Sequence, residues 1–314
     1  DVTIRDIKLT GGDAALLVNS SSVKLAGTID VSGNEFGGIE SSVGKNLTSK
    51  PELDVKDATF VNSTEAYGLP TIWEDQITGS LVGVETKLSG NANVKEKQVQ
   101  YYLNAEFATI ANVASVEALE KALENDKIKT INLNADLDNL AKRIVIGRSV
   151  TINGNEHSIS FTDAINKAAV GTRHGIAVLS DDVTINDLSV ALTEQADWQG
   201  AYAIQVYNAK NVVLNNFTGT KADAALLINA SDVQLTGSIT VSGNEFGGIE
   251  VSKGTAASLS ASVLDIKGTL VNTTETHGKP TIWVVKDQGT VTGEFPTNVD
   301  VEKIKPGQIQ YYIN

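Results

Sequence analysis

The chain has no cysteine and no methionine in 314 residues. Without cysteine there are no disulfides, no thiolate zinc sites and no cysteine nucleophile. Without oxidisable sulfur the composition suits an extracellular, cell-surface setting. There is no apolar run of eighteen or more residues, so no helix of this chain is expected to insert into a membrane. No secretory signal is legible at the start. Position 1 is Asp rather than Met, so a mature or excised fragment is expected. Basic residues are outnumbered, 25 Lys and Arg against 38 Asp and Glu, for a formal net charge of -13. That balance opposes binding to nucleic acid, which needs a basic footprint, and to anionic lipid. An acidic surface can attract Ca²⁺, but no contiguous Asp-x-Asp-x-Asp-Gly loop is present, so Ca is left unassigned and no cofactor is indicated.

What the chain does have is repetition. Hydrophobic residues make up 41%, enough to bury a core. Asp13-Ala-Ala-Leu-Leu17 recurs as Asp223-Ala-Ala-Leu-Leu227, and SGNEFGGIE occupies both 32–40 and 242–250. VNSTEAYGLPTIW at 61–73 returns as VNTTETHGKPTIW at 271–283, and QVQYYLN at 98–104 as QIQYYIN at 308–314. Every pair lies 210 positions apart, and roughly 40% of residues 1–104 match 211–314. Residues 105–210 have no counterpart before Asp1. The expected organisation is the C-terminal half of a module (1–104), a linker (105–114) and a complete module (115–314). Asp1 would then be an internal cut in a longer tandem array.

A shorter repeat lies within each module. Val150-Thr-Ile-Asn153, Val183-Thr-Ile-Asn186, Val212-Val-Leu-Asn215 and Val233-Gln-Leu-Thr236 share one pattern, at spacings of 33, 29 and 21. A second series runs Ile176-Ala-Val178, Ile204-Gln-Val206, Leu226-Leu-Ile228 and Ile249-Glu-Val251. Apolar residues alternate inside each segment, which is the period of a half-buried strand. Asn, Asp, Gly and Ser separate the segments as turn residues. Such strands describe the coils of a solenoid, each burying its inner face only by stacking on neighbours. Asn153, Asn186 and Asn215 share one register and should hydrogen-bond along the stack. An antiparallel sandwich fits this fixed register less well. One helix is expected at 115–125, with Ser115 as N-cap and Val116, Leu119, Ala122 and Leu123 as its apolar face. Placed directly before the coils at 127–314, it would cap them.

The segment VEALEKALENDKIKTINLNADL, the coil VIGRSVTINGNEHSI and the stretch NVVLNNFTG together resemble the pectate-lyase-like superfamily. In style they are similar to the tandem β-helix repeats of bacterial cell-surface and S-layer-associated proteins. The resemblance implies an all-β, right-handed parallel β-helix over 115–314 and, by duplication, over 1–104. It does not imply one function, because this superfold hosts lyases, hydrolases, adhesins and phage spikes.

Catalytic candidates are few. Asp181 and Asp182 form the adjacent acidic pair, with Arg173 and His174 nearby in sequence, and two carboxylates can divide acid and base roles in glycoside hydrolysis. The Gly-His-Gly and Arg-x-Lys patterns that such hydrolases share are missing, so a turn is the preferred reading of the pair. His157, His174 and His277 stand in unrelated contexts, and His277 aligns with Tyr67. Trp73 and Trp283, each ending Gly-x-Pro-Thr-Ile-Trp, are candidates for stacking on a sugar face, with packing the simpler reading. Trp198 lies in the polar insertion TEQADWQGAY, without a partner in the repeat, and is the better lone candidate. In SGNEFGGIE the paired glycines and the asparagine suit a tight corner, while Glu35 and Glu245 are candidates for contact with a ligand. Glycosylation sequons begin at Asn19, Asn46, Asn62, Asn216, Asn229 and Asn272.

The expectation is a non-enzymatic extracellular β-helix repeat, a structural or adhesive cell-surface module. Its expected partners are polysaccharide or cell wall, and further copies stacked end to end. A polysaccharide lyase or glycoside hydrolase with an atypical site around Arg173, His174, Asp181 and Asp182 is the alternative. An ice-binding solenoid is a third, opposed by the irregular coil spacing.

Overall fold

The computed structural model describes residues 2–45, 47–67, 69–75, 80–83, 91–95, 98–104, 109–194, 197–254, 259–273, 278–293, 298–301 and 306–313. His277 and the sequon residue Asn46 lie outside them. The chain divides into two compact units, Asp1–Val113 with Glu117–Asn134, and Ala114–Val116 with Ala135–Asn314.

In the second unit the predicted registers are met residue for residue. Val150 pairs with Val183, Val212 with Val233, and Val233 with Leu264, all in parallel strands. On a second sheet Ile176 pairs with Ile204, Ile204 with Leu226, Leu226 with Ile249, and Ile249 with Ile282, again in parallel. The sequence spacing of each pair is therefore the length of one coil. The residues of both rows are buried, and each contributes about 1.5–3 kcal/mol. The fold is an all-β parallel β-helix. Of the expected Asn ladder one link is present, Asn186 Nδ2 donating to Asn153 Oδ1 at 2.9 Å; Asn215 shares the register of Asn186 but accepts instead from Thr236 Oγ1 at 3.0 Å.

The first unit repeats the plan. Val2–Lys8, Ser22–Asp30, Glu52–Val61 and Ser80–Val82 form one parallel sheet. Ala14–Asn19, Gly37–Ser42 and Ile72–Asp75 form a second. Leu25, Ile29, Ile39, Leu53 and Ile72 make its core. In each unit the second sheet ends differently from the rest. Gln98–Tyr102 runs antiparallel to Ile72–Asp75, and Gln308–Tyr312 runs antiparallel to Ile282–Val285. The helix spans Val116–Glu124 with Leu119 and Ala122 buried, and its residues 117–124 group with the first unit.

Candidate functional site

The nine-residue repeat divides into two roles. Asn244 is buried; its Nδ2 donates to Gly219 O at 2.9 Å and Val241 O at 2.8 Å, while its Oδ1 accepts from Ala222 N at 3.1 Å. Asn34 does the same, donating to Leu9 O and Val31 O and accepting from Gly12 N. One side chain thus ties two successive coils at the corner. Gly247 and Gly37 follow with φ of 144° and 134°, where a side chain is strained. A Cβ at Gly248 would fall 2.4 Å from Thr281 O, and at Gly38 2.3 Å from Thr71 O. Asn, Gly and Gly are therefore the corner. Glu and Phe give it only their backbone N–H groups, which donate to the preceding coil, and leave their side chains for other contacts.

Phe246 and Glu245 instead line a cleft of about 220 Å³ with Trp198, Lys279, Pro280, Trp283, Gln308 and Gln310. Trp283 is buried and packs with Tyr202, Ala224 and Leu227 as a cluster apart from the coil core. Trp198 is 42% exposed and meets Phe246 edge-on at 5.2 Å and Tyr202 at 6.0 Å. Strand pairing sets Trp283 between Glu250 and Gln310. The Tyr202 hydroxyl donates to Glu250 Oε2 at 2.5 Å, and burial with that nearby carboxylate raises the phenol well above its ordinary pKa. On the rim, Lys279 Nζ lies 3.2 Å from Glu245 Oε1.

The first unit carries a cleft at the same place, about 480 Å³ in volume. Phe36, Leu69, Pro70, Trp73, Gln98 and Gln100 line it and correspond, 210 positions on, to Phe246, Lys279, Pro280, Trp283, Gln308 and Gln310. Five of these six positions hold the same residue. Asp13 and Glu40 line it too, and Phe36 is 58% exposed. Glu35 is exposed beside Phe36 but does not line the cleft.

Residues 110–226 match the family described as "Putative pectate lyase-like adhesive domain". Within a chain that folds as a parallel β-helix, residues 110–226 are similar to that pectate lyase-like domain. Neither the curated proteins nor the solved structures include a match. The family and the fold share one coarse reading, an adhesive or structural surface module.

The alternative catalytic residues are Arg173, His174, Asp181 and Asp182. Asp181 Oδ1 accepts from Lys210 N at 2.7 Å, and Asp182 Oδ1 accepts from Asn211 Nδ2 at 3.0 Å. Asp182 has φ of 57°, so the pair forms a turn stitched to the next coil. His174 opens the strand His174–Val178, whereas Asp181 and Asp182 follow its far end, more than about 13 Å along the strand. His174 is 2% exposed and rests against the Tyr202 ring at 5.6 Å. Burial, aided by the Arg143 charge, lowers its pKa to about 4. Arg173 is committed to Ala168 O, Gln199 O and Gln199 Oε1. The structure does not bring these four together. Among the described residues no group of three or more His, Asp or Glu could hold a metal ion, and no helix is long and apolar enough to cross a membrane.

Reading the sequence alone did not single out Tyr202, Lys279, Glu250 or the glutamines. The glutamines carried a usable signal: Gln-x-Gln-Tyr-Tyr is kept in both copies, and period-two alternation puts both glutamines on one face. Glu65 was also passed over. It is fully buried and accepts from Leu103 N at 2.7 Å, Asn104 N at 2.9 Å and the Thr71 hydroxyl. Burial pushes it up to about 7 against the pull of those donors. It fastens the turn Ser63–Tyr67 to the chain leaving the antiparallel strand Gln98–Tyr102. Asn62 reinforces it by donating to Thr71 Oγ1, as Asn272 does to Thr281 Oγ1 in the second unit.

Proposed function

We propose that this protein is a non-enzymatic, extracellular cell-surface module that adheres to polysaccharide through its two aromatic clefts. One observation carries the reading. The same cleft is built at equivalent positions of two diverged copies, with Phe, Pro, Trp and both Gln retained. Packing explains the buried Trp283, but it gives no reason for Trp198 to stand 42% exposed on the wall of the second cleft. Aromatic walls with a few fixed amides are the usual make-up of a pocket for an amphipathic ligand such as a sugar ring. Two sites on one chain raise avidity for a repetitive polymer, which a second catalytic centre would not do. The acidic surface and the lack of sulfur are consistent with work outside the cell.

The test is affinity electrophoresis in gels containing soluble polysaccharides, with a reducing-sugar assay on the same mixtures. Retardation without released sugar is expected. Retardation should fall at least tenfold when Trp198→Ala and Phe36→Ala are combined, since both side chains are exposed and their loss spares the core. Released reducing sugar would overturn the non-enzymatic reading.

A further inference from the structure

The charge pattern of the second cleft narrows the ligand class, and this step rests on the polysaccharide reading. We infer that the cleft takes an uncharged pyranose ring, neutral or N-acetylated, within a polymer, and does not take a uronate. Among the described residues of its wall the one cation, Lys279, already faces Glu245 at 3.2 Å. An incoming carboxylate would meet attraction and repulsion at nearly equal range, so the two cancel. A neutral sugar gains instead, because vicinal hydroxyls both donate and accept, and the Glu245–Lys279 pair offers one acceptor beside one donor. Gln308 and Gln310 extend the polar wall with uncharged amides.

The surroundings add to the case against an acid. Glu250, opposite Trp283 in register, keeps a carboxylate beside the aromatic floor, held there by Tyr202. The net charge of -13 repels a polyanion at long range. In the first cleft Leu69 replaces Lys279 while Asp13 and Glu40 line the wall, and no cation lines that copy among the described residues. A cleft of about 220 Å³ is smaller than the roughly 300–1,000 Å³ that encloses a drug-sized ligand, which suits one ring with the rest of the polymer outside.

The experiment compares migration of the intact chain in gels of β-glucan, galactomannan, glycol chitin and polygalacturonate, at low and at roughly physiological salt. Expected is retardation in at least one of the first three, insensitive to salt. In a Phe36→Ala background, which disables the first cleft, Trp198→Ala should reduce it tenfold or more, and Lys279→Leu, which copies the residue of the first cleft, three- to tenfold. Polygalacturonate should leave migration unchanged. Salt-sensitive retardation by polygalacturonate that Lys279→Leu removes would overturn the uncharged-ligand inference and leave the polysaccharide reading standing. Retardation by a neutral gel that survives both substitutions would overturn the assignment to this cleft. No retardation in any of the four gels would overturn both readings.

Discussion

Individual side chains here carry unequal burdens, and three of them make measurable predictions. Asn244 satisfies two backbone carbonyls and one backbone N–H from inside the corner. Asn244→Ala leaves buried polar groups unpaired and should cost about 2–4 kcal/mol in urea unfolding. Asn244→Asp should cost at least as much despite its similar shape, because a carboxylate would face two carbonyl oxygens. An Asp variant as stable as the parent would show that the corner is not held in this way. Glu65 predicts a dependence on pH. Its folded pKa of about 7 lies above the ordinary 4.5, so between these values the folded state holds a proton that the unfolded state has released. Stability from this group is therefore full below about pH 4.5, falls as pH rises, and levels off above about 7. The loss is at most about 3 kcal/mol. Glu65→Gln should flatten that slope in urea midpoints taken from pH 5 to 8, and an unchanged slope would refute the assignment. His174 acts in the opposite sense: it stays neutral when folded down to about pH 4, so its contribution is lost as pH falls from about 6.5.

The working element is the coil, a pair of parallel rows joined by corners with left-handed residues. Long strands bend where the backbone turns left-handed, at Asp6 (φ 43°), Asp187 (φ 51°) and Asn216 (φ 50°). Asp6 and Asn216 each take a backbone N–H from the next coil at 2.9 Å, from Thr28 and Ser238. The neighbouring Gly27 and Gly237 leave room for that contact, since a Cβ there would fall 2.1 Å from the Asp6 or Asn216 oxygen. The bend lets one strand, Val212–Thr220, pair with both Asp232–Thr236 and Ser238–Thr240. Phe217 lies fully buried just past that bend. Phe217→Ala should destabilise the second unit by about 3–5 kcal/mol, read as a lower urea midpoint. A loss below about 1 kcal/mol would mean that the coils on either side close over the gap.

For the molecule as a whole, duplication predicts stoichiometry. A short neutral oligosaccharide titrated into the chain should fill two sites of unequal affinity, because the clefts differ at Leu69 and Lys279 and in volume. Trp198→Ala should weaken only one of them, and calorimetry that fits one site would count against two working clefts. The β-helix was legible in advance because strand period and coil length are local properties: Val150, Val183, Val212 and Val233 recur at the distances that later proved to be registers. Apolar residues in rows of one fixed register leave water best by stacking coil on coil, so the sequence by itself determined the fold class, the duplication and the corner. The wall of the cleft was decided only by tertiary structure. Trp198, Phe246, Lys279 and Gln310 come from four separate stretches spanning more than a hundred residues, and nothing in their spacing announces that they meet. Coil stacking brings them together, just as it separates His174 from Asp181 and Asp182, which stand close in sequence but at opposite ends of one rigid strand.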